Sequence, residues 1–255
     1  MFKKTHNLEL SARTSSEEEN TKRMKAFHLS HIDSWGLNWN NHSLVTMHRR
    51  TIARVLYYDE LYRKIINVPG CILEFGVQWG ATLAQLIALR GLYEPYNHRR
   101  HIYGFDTFKG FVNTDKERDG NLNSDGDYTV TKGYKENLEK ILTLHEENCP
   151  ISHIKKFSLV KGDASVTSKQ WVDENPHAIV AMAIFDMDLY KPTRDALKAI
   201  MPRLTKGSLL VFDELNCSQF PGETEAVYEV LGLNTIKLQK HPLQPNCAWA
   251  VWGDV

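Results

Sequence analysis

The sequence predicts an α/β protein: a doubly wound, mostly parallel, seven-stranded sheet closed by a C-terminal antiparallel hairpin. Three observations predict it. Apolar runs of strand length alternate with stretches of helical spacing through five strand–helix units, and that alternation produces a parallel sheet covered on both faces. Four of the runs end on acids, at Glu74, Asp106, Asp186 and Asp213-Glu214. In a doubly wound sheet such ends lie along one edge, where these sheets bind ligands. The last two runs, Thr235 to Leu238 and Cys247 to Trp252, have no helix between them and are expected to pair as a hairpin.

Composition narrows the class. A chain of 255 residues, 42% hydrophobic, suffices for one sizeable domain with a modest extension. The expected division is an N-terminal arm over 1–43 and the main domain over 44–255. With 31 basic and 31 acidic residues the net charge is zero. That argues against a dedicated nucleic-acid binder and against a polybasic membrane-surface protein, and favours a small polar substrate. Cys71, Cys149, Cys217 and Cys247 show no C-x-x-C spacing, so neither a zinc ribbon nor a redox dithiol is indicated. The start, Met1 to His6, is charged rather than apolar, and no signal peptide is expected. The longest apolar run, Ile179 to Phe185, is too short to span a bilayer. A cytoplasmic protein with free thiols is the expectation.

The elements follow in order. Ser15-Ser16-Glu17-Glu18-Glu19 resembles a helix start within an otherwise polar, irregular arm. Trp35 and Trp39 in that arm must pack on the domain, the substrate or a second subunit, which makes a homo-oligomer plausible. Leu44 to Ile66 has helical spacing, and Pro69-Gly70 ends it. The strand Gly70 to Phe75 then turns through Gly76 into a helix opened by Gly80. This is E-x-G-x-x-x-G, not the dinucleotide G-x-G-x-x-G. A carboxylate at Glu74 repels a pyrophosphate and attracts a cation such as the ammonium and sulfonium of S-adenosylmethionine. The plainer reading is a strand–turn–helix whose glycines serve geometry alone.

A second strand, His101 to Asp106, ends in an acid able to accept hydrogen bonds from two ribose hydroxyls. The polar loop Asn113 to Lys132 is long enough to suggest substrate contact or a lid. It begins like a calcium loop, but Lys132 stands where the bidentate acid is required. A helix from Gly133 to Glu147 and a strand from Phe157 to Lys161 follow. Asp163 either meets an adenine amino group or caps the next helix. Ile179 to Phe185, the most apolar run, belongs in the sheet centre and ends in Asp186-Met187-Asp188. Pro192 suits the first turn of a helix running to Leu204. Gly207 then turns the chain into Ser208 to Phe212, and Pro221 opens a helix to Leu231.

If the strands ending at Asp186 and Asp213 are neighbours, Asp186, Asp213 and Glu214 converge. Bare carboxylates so placed repel one another, and a hard divalent cation such as Mg²⁺ relieves this. Such a cation makes a bound hydroxyl more acidic. The alternative is that one acid caps a helix and the others are solvated.

With these stretches in hand, the chain resembles class I S-adenosylmethionine-dependent methyltransferases, and more narrowly the macrocin O-methyltransferase (TylF-like) family. The resemblance rests on Val68-Pro69-Gly70 with Glu74-x-Gly76-Val77-x-x-Gly80, on Gly104-Phe105-Asp106-Thr107-Phe108-x-Gly110, on Asp186-x-Asp188-Leu189-Tyr190-x-x-Thr193-x-x-Ala196-Leu197, and on Gly207 with Asp213-Glu214. It covers about residues 44 to 255. It implies a Rossmann-like methyltransferase fold and Mg²⁺-assisted methyl transfer to a hydroxyl of a small molecule, a sugar or nucleotide-linked or capsular sugar intermediate, with no nucleic acid or membrane partner. It places Glu74 at the methionine ammonium, Asp106 at the ribose and Met47 near the cofactor. Gly76, Gly80, Thr107, Asp163, Ala164 and Asp186 join the cofactor set. Asp186, Asp213 and Glu214 take the metal positions, and Asp188 is the expected base, with His145 and His153 as alternatives. The family usually has Asp-Asp where this chain has Asp213-Glu214. Rival readings are a catechol-type methyltransferase, a non-catalytic S-adenosylmethionine binder and a nicotinamide-dependent oxidoreductase.

Overall fold

Apolar residues alternate along each strand, and the alternation sorts the core into two layers. A computed structural model describes residues 2–5 and 8–253; Met1 and His6, part of the expected leaderless start, lie outside the described residues, as do Asn7, Asp254 and Val255. In chain order the elements are β1 (Lys3–Lys4), β2 (Leu10–Ser11), α1 (Ser15–His31), α2 (Trp39–His42), α3 (Arg49–Ile65), β3 (Cys71–Phe75), α4 (Ala81–Tyr93), β4 (Ile102–Asp106), α5 (Lys116–Asp119), α6 (Tyr134–Glu147), β5 (Phe157–Lys161), α7 (Ala164–Glu174), β6 (Val180–Phe185), α8 (Tyr190–Ile200), β7 (Leu204–Phe212), α9 (Pro221–Leu231), β8 (Gln239–Lys240) and β9 (Ala248–Val251). Among the described residues no helix is long and apolar enough to cross a membrane.

The main sheet has seven strands in the order β5-β4-β3-β6-β7-β9-β8. The first five are parallel, and β9 pairs antiparallel with both β7 and β8. Ile72, Ile102, Met182, Ile184, Leu209 and Val211 face one core layer with residues of α3, α4 and α6. Leu73, Phe75, Phe105, Phe185, Leu210 and Phe212 face the other, with residues of α7, α8 and α9. The chain starts at β3, moves outward through β4 to β5, and returns to β6 on the other side of β3. The strand order therefore reverses between β3 and β6, and such a switch point opens a crevice at the carboxyl ends of the strands.

Several boundaries differ from the sequence expectation. The segment Leu44 to Ile66 is a 3₁₀ turn at Ser43–Thr46 followed by α3. His48 breaks the run: it is extended, and its imidazole accepts a hydrogen bond from the Arg50 N–H. The arm is mostly helical, because Thr14 and Glu17 form a reciprocal capping box that starts α1. The penultimate strand is Gln239–Lys240 rather than Thr235 to Leu238. Thr235 instead hydrogen-bonds back to the carbonyls of Leu231 and Gly232, extending the exit from α9.

Candidate active site

The register of four strands aligns the acids. Phe75 pairs with Phe105 and Phe185, and Phe185 with Phe212. Their rings stack in sequence, with centroids 4.6 Å, 5.3 Å and 5.3 Å apart. The residue after each Phe therefore falls in one row: Asp106, Gly76, Asp186 and Asp213. Gly76 has φ 93°, and a Cβ there would sit 1.7 Å from the Asp186 carbonyl oxygen. Only glycine lets the β3 turn lie this close to the end of β6.

Above this row lies a cavity of about 640 Å³. Its lining contains eight acids but only two cations, Arg13 and Arg54. Glu74 is 1% exposed, and its Oε2 has no hydrogen-bond partner. Burial, and then the Asp186 carboxylate, hold its carboxyl well above the usual range. A buried carboxyl oxygen left unpaired is costly unless a ligand donor completes it. Asp106 accepts the backbone N–H groups of Gln78 (2.8 Å) and Phe108 (2.5 Å) and keeps further lone pairs for the cavity. Gln78 and Phe108 hold left-handed φ values of 47° and 54°, strain concentrated at the strand ends. Asp163 caps α7 through the Ser165 N–H (2.8 Å) while its other oxygen accepts from Asn113 (3.3 Å).

Asp186 and Asp213 share one guanidinium. Arg54 donates from Nη2 to Asp186 Oδ2 (3.1 Å) and Thr82 Oγ1 (3.0 Å), and from Nη1 to Asp213 Oδ1 (3.3 Å). Cys247 Sγ donates to the same Asp213 oxygen, and Asn246 Nδ2 to Glu214 Oε2 (3.0 Å). Asp186 is pushed up to about 7 by burial and by the Asp213 carboxylate. Asp188, buried and at φ 62°, is pushed well above the carboxylate range by burial and then by Asp186, Glu214 and Asp213. Glu214 is raised by burial and Asp213.

The chemistry of this donor set fits a divalent ion: hard oxygens, of which those of Asp186 and Glu214 are protonated more readily because of burial and then the neighbouring acid. In this arrangement Arg54 supplies the compensating cation. Among the described residues no three His, Cys, Asp or Glu side chains are gathered at metal-binding distances.

Of the residues singled out in the sequence, Glu74, Gly76, Asp106, Thr107, Asp163, Ala164, Asp186, Asp188, Asp213 and Glu214 all line this one cavity. Gly80 and Met47 do not. Gly80 caps α4 in a left-handed conformation, where a Cβ would strike Leu138. Met47 ends the 3₁₀ turn before α3, outside the lining. His145 and His153 also lie outside it.

Other lining residues carried no obvious mark in the sequence. Arg54 belongs to the inward stripe of α3 that continues through Tyr58, Leu61 and Ile65. An arginine in register with such a stripe is the signal that would have found it. Glu9 and Arg13 come from the arm, folded over the cavity by three ties. Gln78 Nε2 donates to Glu9 (2.9 Å), Tyr128 receives the Leu10 N–H (3.1 Å), and Lys4 pairs with Asp127 (2.6 Å). The long polar loop is itself pinned: Asp119 accepts the Tyr190 N–H (2.6 Å), and Asn123 is fully buried. Of that loop only Tyr128 lines the cavity.

The family model of Macrocin-O-methyltransferase (TylF) matches residues 3–239. The chain belongs to the macrocin O-methyltransferase family. A crystal structure of CalS11, calicheamicin methyltransferase, is 38% identical, with 96% of this chain and 95% of that one covered and a TM-score of 0.89. An apo structure of CalS11, described as a TDP-rhamnose 3'-O-methyltransferase of calicheamicin biosynthesis, is 37% identical over 96% and 97% of the chains, with a TM-score of 0.82. The O-methyltransferase NovP, at 16% identity over 78% and 79% of the chains and a TM-score of 0.60, shares the fold. No curated protein sequence matches. This macrocin-type chain is thus an S-adenosylmethionine-dependent O-methyltransferase, which removes the nicotinamide-dependent alternative.

Proposed function

We propose that the protein transfers the methyl group of S-adenosylmethionine to a hydroxyl of a sugar. The observation that carries the cofactor placement is Glu74, a buried acid that lines the cavity and has one oxygen without a hydrogen-bond partner. An α-ammonium there completes its hydrogen bonding and lowers the local excess of negative charge. Asp106 receives the ribose hydroxyls, with Thr107 beside it, and Asp163 and Ala164 border the adenine end. The sugar assignment draws on CalS11, whose described substrate is TDP-rhamnose.

Asp186, Asp213 and Glu214 would hold Mg²⁺, which supplies a Lewis acid beside the acceptor hydroxyl. Arg54, hydrogen-bonded to both Asp186 and Asp213, holds the two side chains next to each other at the cavity. Asp188 takes the hydroxyl proton. Its raised affinity for protons suits a base better than an ordinary carboxylate would. The acceptor oxygen then forms its bond to the methyl carbon as the carbon–sulfur bond breaks, leaving S-adenosylhomocysteine. Charge is neutralised in that step, so the roof made by the arm and Tyr128 favours it by excluding water. Incubation with labelled S-adenosylmethionine and a panel of free, glycosidic and nucleotide-linked sugars, with Mg²⁺ or a chelator, tests this reading. Methyl incorporation into a sugar that the chelator abolishes is expected; turnover on catechols alone contradicts it.

We also assign the outer face of the arm to a second copy of this chain. None of the 17 residues of α1 is buried. Leu37 is 100% exposed, with Trp39, Leu44 and Val45 exposed beside it. Within α1 the acids Glu17, Glu18 and Glu19 precede the bases Lys22, Arg23 and Lys25. Two copies of α1 packed antiparallel therefore bring opposite charges together. Light scattering is expected to give an oligomer that Leu37→Asp with Trp39→Asp dissociates; a monomeric wild type contradicts it. The four unpaired cysteines suit a reducing, cytoplasmic setting.

A further inference from the structure

Beside the methyl-transfer cavity lies a second one, of about 270 Å³, lined by residues of the arm and by Arg50 from the first turn of α3. Glu9 and Arg13 border both cavities, so the two are contiguous. Its acids are already engaged. Glu17 accepts from the Thr14 N–H (2.9 Å) and hydroxyl (3.1 Å), and Glu9 accepts from Gln78 (2.9 Å). Its two arginines are not: among the described residues neither Arg13 nor Arg50 forms an ion pair. Two free guanidinium forks from separate segments thus flank one polar recess.

We infer that Arg13 and Arg50 form a subsite for the diphosphate of a nucleotide-linked acceptor sugar. The inference rests on the sugar-hydroxyl reading and adds to it the carrier and its orientation. The main cavity is lined by Glu74, Asp106, Asp186, Asp188, Asp213 and Glu214, so a polyanion is repelled from its interior. The outer recess offers planar donors that match phosphate oxygens two at a time. An acceptor carrying both a sugar and a diphosphate is therefore oriented by repulsion from the inner acids and by hydrogen bonds from the two guanidinium groups, sugar inward and phosphates at the arginines. In reaction order, a nucleotidyl transfer that activates the sugar precedes this methylation, and a glycosyl transfer consumes its product.

Calorimetry on the full-length protein saturated with S-adenosylhomocysteine, without Mg²⁺, tests the subsite, with inorganic pyrophosphate as the probe. Wild type is expected to bind it, and to lose it to competition from a nucleotide sugar. Arg50→Gln weakens binding roughly tenfold, and the double variant Arg13→Gln/Arg50→Gln more, the usual effect of deleting charge-assisted hydrogen bonds. Arg50→Lys, which keeps charge without the fork, falls between. A thermal melt of each variant reports that the fold is intact. The inference is overturned if wild type does not bind pyrophosphate, if the double variant binds it equally well, or if nucleotide sugars do not compete. Methylation of simple glycosides but not of nucleotide sugars also overturns it while leaving the sugar reading standing. Absence of methyl transfer to any sugar instead removes the reading beneath it.

Discussion

The two ends of the same parallel sheet both bury charge, and they treat it oppositely. At the amino end, Arg100 is 1% exposed and every donor direction is used. It pairs with Glu94 (2.8 Å and 3.0 Å) and donates to the carbonyls of Ile65, Val68 and Gly70. Arg90 pairs with Glu146, which also holds Lys156 at 3.1 Å, and Arg90 caps the Lys156 carbonyl (2.7 Å). Arg100 and Lys156 lie just before β4 and β5, while Arg90 and Glu146 come from α4 and α6, and the two arginines close carbonyls at the ends of α3 and before the strands. At the carboxyl end, Glu74, Asp106, Asp186, Asp188, Asp213 and Glu214 share the inner cavity with Arg54. Buried charge that is paired holds a fold together, whereas buried charge of one sign in excess over its partners waits for a ligand.

The largest expected effect lies at the amino end, where each buried charge has a partner. Glu146→Gln leaves Arg90 and Lys156 buried without their acid, and a broken buried pair costs about 3–5 kcal/mol. Chemical denaturation should show that loss, while the molecules that remain folded still bind S-adenosylhomocysteine normally. A loss below about 1 kcal/mol would erase the contrast between the two ends.

Next comes Asp186→Asn at the carboxyl end. Turnover is expected to fall by at least ~10²-fold, the scale seen when one group stabilising a reaction centre is removed. The melting temperature stays level or rises, since a repelling charge is gone. A fall in both together would make Asp186 a structural acid like Glu146.

Glu74→Gln has a smaller effect. It removes the charge offered to the α-ammonium, so S-adenosylhomocysteine affinity should drop roughly tenfold or more, without loss of stability. Calorimetry beside a thermal melt separates the two quantities.

The smallest effect is in pH dependence, where the ends carry opposite signs. Asp186 rises from 3.8 to about 7 on folding, so the native state holds its proton more tightly than the unfolded chain. Its contribution to stability is full below pH 3.8 and is lost as pH climbs through about 7. His101, at the amino end against Ser158 Oγ (2.9 Å), is lowered from 6.5 to about 4 by burial and then by Arg90. Its contribution is full above pH 6.5 and is lost as pH falls toward 4. Relative to wild type, stability measured by denaturation across pH 4 to 7 should therefore rise more with pH in Asp186→Asn and fall more with pH in His101→Gln. No change in either slope would show that the ends do not differ in this respect.

Much of this was legible in the chain because it depends on period and position. The apolar runs closing on Phe75, Phe105, Phe185 and Phe212, each followed by glycine or aspartate, encode both the parallel register and the row of acids above it. The central helices followed from their spacing for the same reason. What could not be read depends on contacts between distant segments. Arg54 meets Asp186 and Asp213 only once α3 docks against the strand ends. The arm reaches the cavity through a two-strand hairpin too short to leave a periodic signal. The edge strand β8 is likewise two residues long, so pairing with β9, not propensity, decides where it lies.

The most direct test is a crystal structure of the protein with S-adenosylhomocysteine and Mg²⁺. The account predicts the cofactor's amino group on the free oxygen of Glu74, its ribose on Asp106, and the ion among Asp186, Asp213 and Glu214. A nucleoside bound away from Glu74 and Asp106 would contradict it.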